Sequence, residues 1–262
     1  MVVVISGGSS GIGRQTAHYF AERGHTVYEL SRTGSDADKV RHCTCDVSDE
    51  AAVQKAVAGI GALEGQIDLV VANAGFGISG PFVGTPDRQM TDQYEVNVFG
   101  AARLVNAAFP YLSKAAQNAP GKARVLFVSS VAADIAIPFQ AHYSATKAAL
   151  KSFALALDNE WRPLGIRALA LLPGDTKTGF TDARVKVTGD PRADRSVARM
   201  ETDETKGGEA FAVARRIYRL LAEKKNPKVV STLGAKYAAA LVLFKWLPLR
   251  LANYLVGTLY SA

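Results

Sequence analysis

The sequence predicts an α/β fold, a doubly wound parallel sheet with helices on both faces and a helical extension at the C-terminus. Three observations carry this expectation. Apolar, β-branched runs recur at 2–5, 26–30, 67–72, 124–128, 166–172 and 228–231, and the stretches between them have helical spacing. That alternation is the pattern of strands joined by crossover helices. The first run leads directly into the glycine-rich stretch SGGSSGIGR, Ser6 to Arg14.

The run at 2–5 is read as a core strand rather than a signal peptide, because it is short and ends in glycines instead of a small-residue cleavage site. The glycines after it permit a sharp turn into a helix and leave backbone N–H groups facing outward. Those amides, with the positive end of the helix, favour a phosphate. The second strand, TVYEL, ends at Ser31-Arg32. A hydroxyl followed by a guanidinium suits a 2′-phosphate, since Arg makes paired, charge-assisted bonds to it. This favours NADP(H) over NAD(H); Glu29 takes the opposite, ribose-binding role if the strand end lies two residues earlier.

Ala51 to Ile60, Tyr94 to Phe109 and Ser144 to Trp161 read as helices, the last ending near Pro163 and Gly165. Asp46 in CDVSD, Asn73 in ANAG and Asn97 in EVNVFG fall at or near strand ends, where a cap or a turn explains each as well as a ligand does. Residues 179 to 208 are polar and glycine-punctuated, which predicts a mobile surface segment and a candidate substrate lid. Residues 1–234 thus form the main domain, and 235–262 an apolar, basic extension of it.

Composition narrows the class. The 262 residues include 48% hydrophobic ones, ample for a buried core. Cys43 and Cys45, the two cysteines, are read as free thiols of a reducing cytosol, and no metal is expected. The net charge of +7 is uneven: residues 1–174 hold 15 basic and 15 acidic side chains, and the remainder 16 and 9. No Asp or Glu follows Glu223, which suggests attraction to something anionic. Nucleic acid is not the expected partner, because the excess lies in an apolar tail and not on a charged face with exposed aromatics.

The sharpest constellation is VSS at 128–130 followed by YSATK at 143–147. Tyr143 and Lys147, four apart, share a helix face. An ammonium near a phenol favours the phenolate and makes the tyrosine a usable acid or base, while Ser130 polarises a carbonyl.

With these motifs in order, the chain resembles the short-chain dehydrogenase/reductase family in its compact, single-domain, Rossmann-type form. SGGSSGIG resembles that family's TGxxxGIG loop with Ser6 for Thr, ANAG its NNAG with Ala72 for Asn, and PGDTKT at 173–178 its PGxxxT. The resemblance implies that Gly7, Ser9, Ser10, Gly11, Ile12 and Gly13 cradle the pyrophosphate, Ser31 and Arg32 the 2′-phosphate, and Asp46 and Val47 the adenine. Asn73, Ala74 and Gly75 fall to the ribose region, and Pro173, Gly174, Thr176 and Thr178 to the nicotinamide. Tyr143 is the implied general acid or base, Lys147 its pKa modulator and ribose ligand, Ser130 the group steadying the substrate oxygen, and Asn97 the support of a proton-return path. Homodimers or homotetramers are the implied assembly.

Substrate choice is read from the segments around the site. Ile135, Ile137 and Phe139 before Tyr143, and Phe76, Ile78 and Phe82 after ANAG, favour a lipophilic, steroid-like or lipid-like ketone or alcohol; filling of core is the competing reading. His142 is read as a surface side chain. The tail GAKYAAALVLFKWLPLRLANYLVGTLY is too short and broken to span a bilayer. It is a cap over the substrate mouth, a dimer contact or a peripheral membrane anchor. The expectation is therefore a cytoplasmic NADP(H)-dependent oxidoreductase, with membrane association open. The alternatives are a reductase of small polar or acyl-carrier-bound ketones and a non-catalytic NADP(H)-binding regulator.

Overall fold

A computed structural model describes residues 1–37 and 39–261. Seven parallel strands form the central sheet: β1 (Val2–Ser6), β2 (Thr26–Ser31), β3 (Val40–Thr44), β4 (Leu69–Ala72), β5 (Ala123–Val128), β6 (Ile166–Leu172) and β7 (Val230–Thr232). Their order is β7-β6-β5-β4-β1-β2-β3. In register, Val4 lies beside Tyr28 on one side and Val70 on the other. The order reverses at β1, so the crevice beyond the carboxyl ends of β1 and β4 is where such a sheet binds ligands.

Both faces of the central strands are covered, which is why β1 and β4 are almost wholly apolar rather than alternating, whereas the edge strand β3, Val-Arg-His-Cys-Thr, is not. On one face Val4, Val70, Val125 and Ala170 pack beneath the helices α2 (Glu50–Glu64), α4 (Gly100–Asn118) and α5 (Ala141–Trp161). On the other, Val3, Ile5, Val71 and Leu126 meet Phe20 of α1 (Gly11–Ala21) and Val213 and Ile217 of α7 (Ala210–Tyr218). Asp158 on α5 is buried and tied to β6: its carboxylate accepts from Arg167 at 2.6 Å, from the Ala168 amide at 3.3 Å and from Arg162. Burial opposes its charge, but the Arg167 and Arg162 hydrogen bonds win and hold the carboxyl below the usual carboxylate range.

Two expectations change. The helix read over 94–109 is instead α3 (Asp87–Tyr94) running through a widened π turn, Glu95–Phe99, into α4. The π turn inserts a residue into the helical ladder, as is frequent at functional sites, and it carries Asn97. The segment 179–208, read as a mobile surface segment, holds a helix, α6 (Pro191–Thr205), over half its length. Asp190 caps it by accepting from the Arg192 amide, Pro191 occupies its first turn, and Ala193, Ser196, Val197 and Met200 form a buried stripe at helical spacing. The extension folds as α8 (Ala235–Trp246) and α9 (Leu249–Ser261), broken at Pro248, with α9 against α6.

Candidate active site

The site is built where the carboxyl ends of the strands meet the helix starts. Gly7 and Gly11 adopt positive φ, +67° and +51°. A side chain at Gly7 would place Cβ 2.9 Å from the Ala74 Cα, and one at Gly13 would place it 2.1 Å from the Gly7 carbonyl oxygen. Neither position accepts a substituent. Ser10, at the start of α1, makes no capping hydrogen bond with its side chain, so the first-turn amides stay available to an anion. Asn73 fixes the loop from below, its amide nitrogen donating to Ser6 O at 3.0 Å and Gly7 O at 3.1 Å.

At the end of β2, Ser31 and Arg32 line the same cavity. Glu29 does not. Its carboxylate is buried under Gly8, accepts from Ser31 Oγ at 3.2 Å and pairs with His42, which removes it from competition for a ribose. Asp46 accepts from the Ser48 hydroxyl and amide at 2.7 and 2.9 Å. Burial works against its charge, yet these bonds and Arg32 keep the carboxyl below the usual range.

The reactive end lies between β5 and α5. One turn into α5, Tyr143 projects into the cavity with its ring 5.7 Å from that of Phe180. Burial pushes its phenol up to about 12, while a hydrogen bond from Ser130 works the other way. Lys147 is buried; it donates to the Val128 carbonyl at 2.9 Å and stands 5.6 Å from the Tyr143 ring centre. Desolvation pulls its ammonium down to about 8. Gly75 lets these groups crowd together: a Cβ there would lie 2.9 Å from Asn97 Oδ1 and 3.6 Å from Lys147 Nζ. Asn97 itself is buried, bonded to both backbone groups of Phe76 at 2.9 Å and to Thr146 Oγ1 at 3.1 Å.

Pro173, Gly174, Thr176 and Thr178 wall the other side. Thr178 packs 3.4 Å from where a Gly11 Cβ would lie, bringing the two ends of the crevice together. The ring of Tyr237 covers Gly174, and its hydroxyl donates to Asp175 at 2.6 Å. The whole forms one cavity of about 890 Å³ running from the glycine loop past Tyr143 to Ile137, Gln140, Met200 and Tyr260. A cavity that brings a glycine loop together with a phenol and an ammonium is suited to hydride transfer at a carbonyl.

A family-wide sequence profile described as short chain dehydrogenase matches residues 1–188. The chain belongs to the short-chain dehydrogenase family. It is thus an oxidoreductase of the CH–OH/C=O class. A 3-ketodihydrosphingosine reductase of Bacteroides thetaiotaomicron is 32% identical, over 99% of this chain and 98% of that protein. An NADPH-dependent 1-acyldihydroxyacetone phosphate reductase of Saccharomyces cerevisiae is 27% identical over 70% of this chain and 63% of its own length. Among solved structures, a short-chain dehydrogenase from Streptomyces avermitilis superposes with a TM-score of 0.81 at 27% identity, covering 92% of this chain and 90% of the other.

In this short-chain dehydrogenase the residues anticipated for the cofactor border the cavity except Gly13, which acts through the backbone contact it permits; Asn97 likewise stays behind the wall. Of the apolar set, Phe76 and Ile137 line the cavity, whereas Phe82 and Phe139 border a second depression, Ile78 is core and Ile135 lines neither. His142 is not a surface side chain: it is buried, stacked on Phe82 at 4.7 Å. Gln140 and Tyr260 were not anticipated. Gln140 immediately precedes α5, three residues before Tyr143, a closeness that could have revealed it; Tyr260 lies too far along the chain for any local pattern to do so.

Proposed function

We propose that this short-chain dehydrogenase is a cytoplasmic NADP(H)-dependent oxidoreductase that interconverts a ketone and a secondary alcohol on a hydrophobic, lipid-like or steroid-like molecule. The observation that carries it is the placement of Tyr143, Ser130 and Lys147 in one cavity with the glycine loop, Ser31 and Arg32. The same cavity is lined by Phe76, Ile137, Phe180, Met200 and Tyr260, with Gln140, Asp203 and Glu204 among them. The cradle around Gly7 and Gly13, too close for any Cβ, and the uncapped start of α1 fit a pyrophosphate.

When bound, the nicotinamide supplies or accepts the hydride at the carbonyl carbon. The chain's part is the proton. In reduction the Tyr143 hydroxyl donates to the oxygen on which charge develops, and Ser130 offers a second donor to that oxygen. An ammonium has three donors; Lys147 spends one on Val128, leaving others for ribose hydroxyls and its charge to steady the phenolate that forms. Asn97 positions these groups by clamping Phe76 beside Gly75. Arg32, exposed at the far end, selects the 2′-phosphate.

The lipid-like substrate has two supports: the apolar side chains of the cavity wall, and the two relatives, one a 3-ketodihydrosphingosine reductase and the other a 1-acyldihydroxyacetone phosphate reductase. Assembly as a homodimer or homotetramer agrees with Phe99 and Leu155, large apolar side chains exposed on the layer that carries α4 and α5. The test is NADPH oxidation by the purified protein against long-chain keto-sphingoid bases, acyl-dihydroxyacetone phosphates, steroid ketones and small polar ketones, with NADH alongside. Turnover of the bulky apolar ketones with NADPH is expected. Turnover of the small polar ketones alone would overturn the substrate class.

A further inference from the structure

The C-terminal helices α8 and α9 leave many large apolar side chains uncovered. Along α8 the partly covered residues are Tyr237, Ala240, Leu241 and Phe244, one stripe at helical spacing, and no residue of this helix is fully buried. On α9 the buried positions are Ala252 and Val256. The remaining faces are apolar where a solvated helix would be polar. Trp246 and Leu249, either side of the break at Pro248, are 85% and 77% exposed; Val242, Leu243, Tyr254 and Leu259 are each more than half exposed. A concentration of large apolar side chains of this kind marks an interaction surface.

Charge decides which partner it fits. Lys236, Lys245 and Arg250 are exposed among these residues, and the chain has no carboxylate side chain after Glu223. Two copies of this face would oppose cation to cation, whereas an anionic lipid surface complements it. Short helices with apolar bodies, basic residues and exposed Trp and Tyr lie in the headgroup boundary, and no helix among the described residues is long and apolar enough to cross a membrane. The two helices are also part of the cavity: Tyr237 covers Gly174, and Tyr260 lines the wall.

We propose that α8 and α9 form an interfacial anchor that seats the cavity they help to line on an anionic bilayer. Its purpose, access to substrate dissolved in the membrane, rests on the lipid-like substrate proposed above. The binding itself does not, and it is measured without turnover.

The test is flotation of the full chain with vesicles of phosphatidylcholine alone or mixed with phosphatidylglycerol, at low and high salt. Flotation with the mixed vesicles is expected, weakened by salt. Each of two variants, Trp246→Ser with Leu249→Ser and Lys245→Glu with Arg250→Glu, should lose about tenfold or more in vesicle affinity while keeping NADPH affinity, which reports the fold. Absence of flotation with the mixed vesicles, or equal flotation of wild type and both variants, overturns the anchor. So does a dimer, seen by sedimentation, that the Trp246→Ser, Leu249→Ser variant abolishes, since the face would then be covered by a second copy.

Discussion

Lys147 reaches toward Tyr143 across 5.6 Å, measured from Nζ to the ring centre, while its hydrogen bond goes to the Val128 carbonyl. The ammonium is thus held by the strand end beside the phenol ring, and burial is the main influence on both groups. With burial raising the phenol to about 12 and lowering the ammonium to about 8, the lysine is the group that titrates first. Below about 8 both are protonated, the state reduction needs. As pH rises through that value the ammonium is lost while the phenol stays neutral. The kcat/KM for NADPH should accordingly be level near neutrality and fall about tenfold per pH unit above about 8. Lys147→Arg, whose cation does not titrate there, should move the falling limb upward. A wild-type profile that stays level through about pH 10 would contradict this.

The same desolvation has a sign for stability. A lysine whose folded pKa lies below its unfolded value of 10.5 costs stability in full below about 8, and the cost fades as pH rises toward 10.5. Lys147→Met should raise the Tm of the cofactor-free protein near neutral pH, by roughly 1–3 kcal/mol of stability, and abolish turnover. Calorimetry at neutral and alkaline pH reads both the gain and its disappearance.

Tyr143→Phe removes only the proton donor. Turnover should fall by about 10²–10⁴, and NADPH affinity measured by fluorescence should stay within about twofold. Unchanged turnover would remove Tyr143 from the mechanism.

Arg32→Ala should raise the KM for NADPH about tenfold or more, the worth of a charge-assisted hydrogen bond, and leave that for NADH nearly unchanged. Equal effects on the two would transfer the preference elsewhere.

Asp158→Ala leaves the partly buried Arg167 without its carboxylate and should cost about 1–3 kcal/mol in denaturant unfolding. Because the folded carboxyl titrates below its ordinary value, the wild-type advantage is complete above the unfolded pKa of 3.8. It is lost as pH falls through the folded one.

The central strands were legible because a strand buried on both faces favours apolar residues, so Val2 to Ile5 or Leu169 to Leu172 reads as unbroken apolar sequence; the edge strand β3, Val-Arg-His-Cys-Thr, was not among the six apolar runs. Ser130, Tyr143 and Lys147 were legible because one strand end and one helix face set their spacing. The helix α6 was hidden by its surface: a stripe built from Ala193, Ser196 and Val197 is too small in volume to stand out from the charges around it. His42 as the partner of Glu29 was hidden for another reason, since the pairing follows from the alignment of two neighbouring strands and leaves no periodicity within either. The π turn at Asn97 left no signal at all, because its sequence also suits an ordinary helix.

The residues that shape the cavity are strung along the chain in an order that matters while it is being made. Gly7 to Gly13, Ser31, Arg32, Asp46 and Asn73 all emerge within the first 75 residues, and the clamp of Asn73 on Gly7 closes among them. Tyr143 follows much later, and Tyr260 later still. At ~5–20 residues per second, roughly ten to forty seconds of translation separate Asn73 from Tyr260. The clamp on the glycine loop is thus made before the proton donor, and the wall at Tyr260 comes after both.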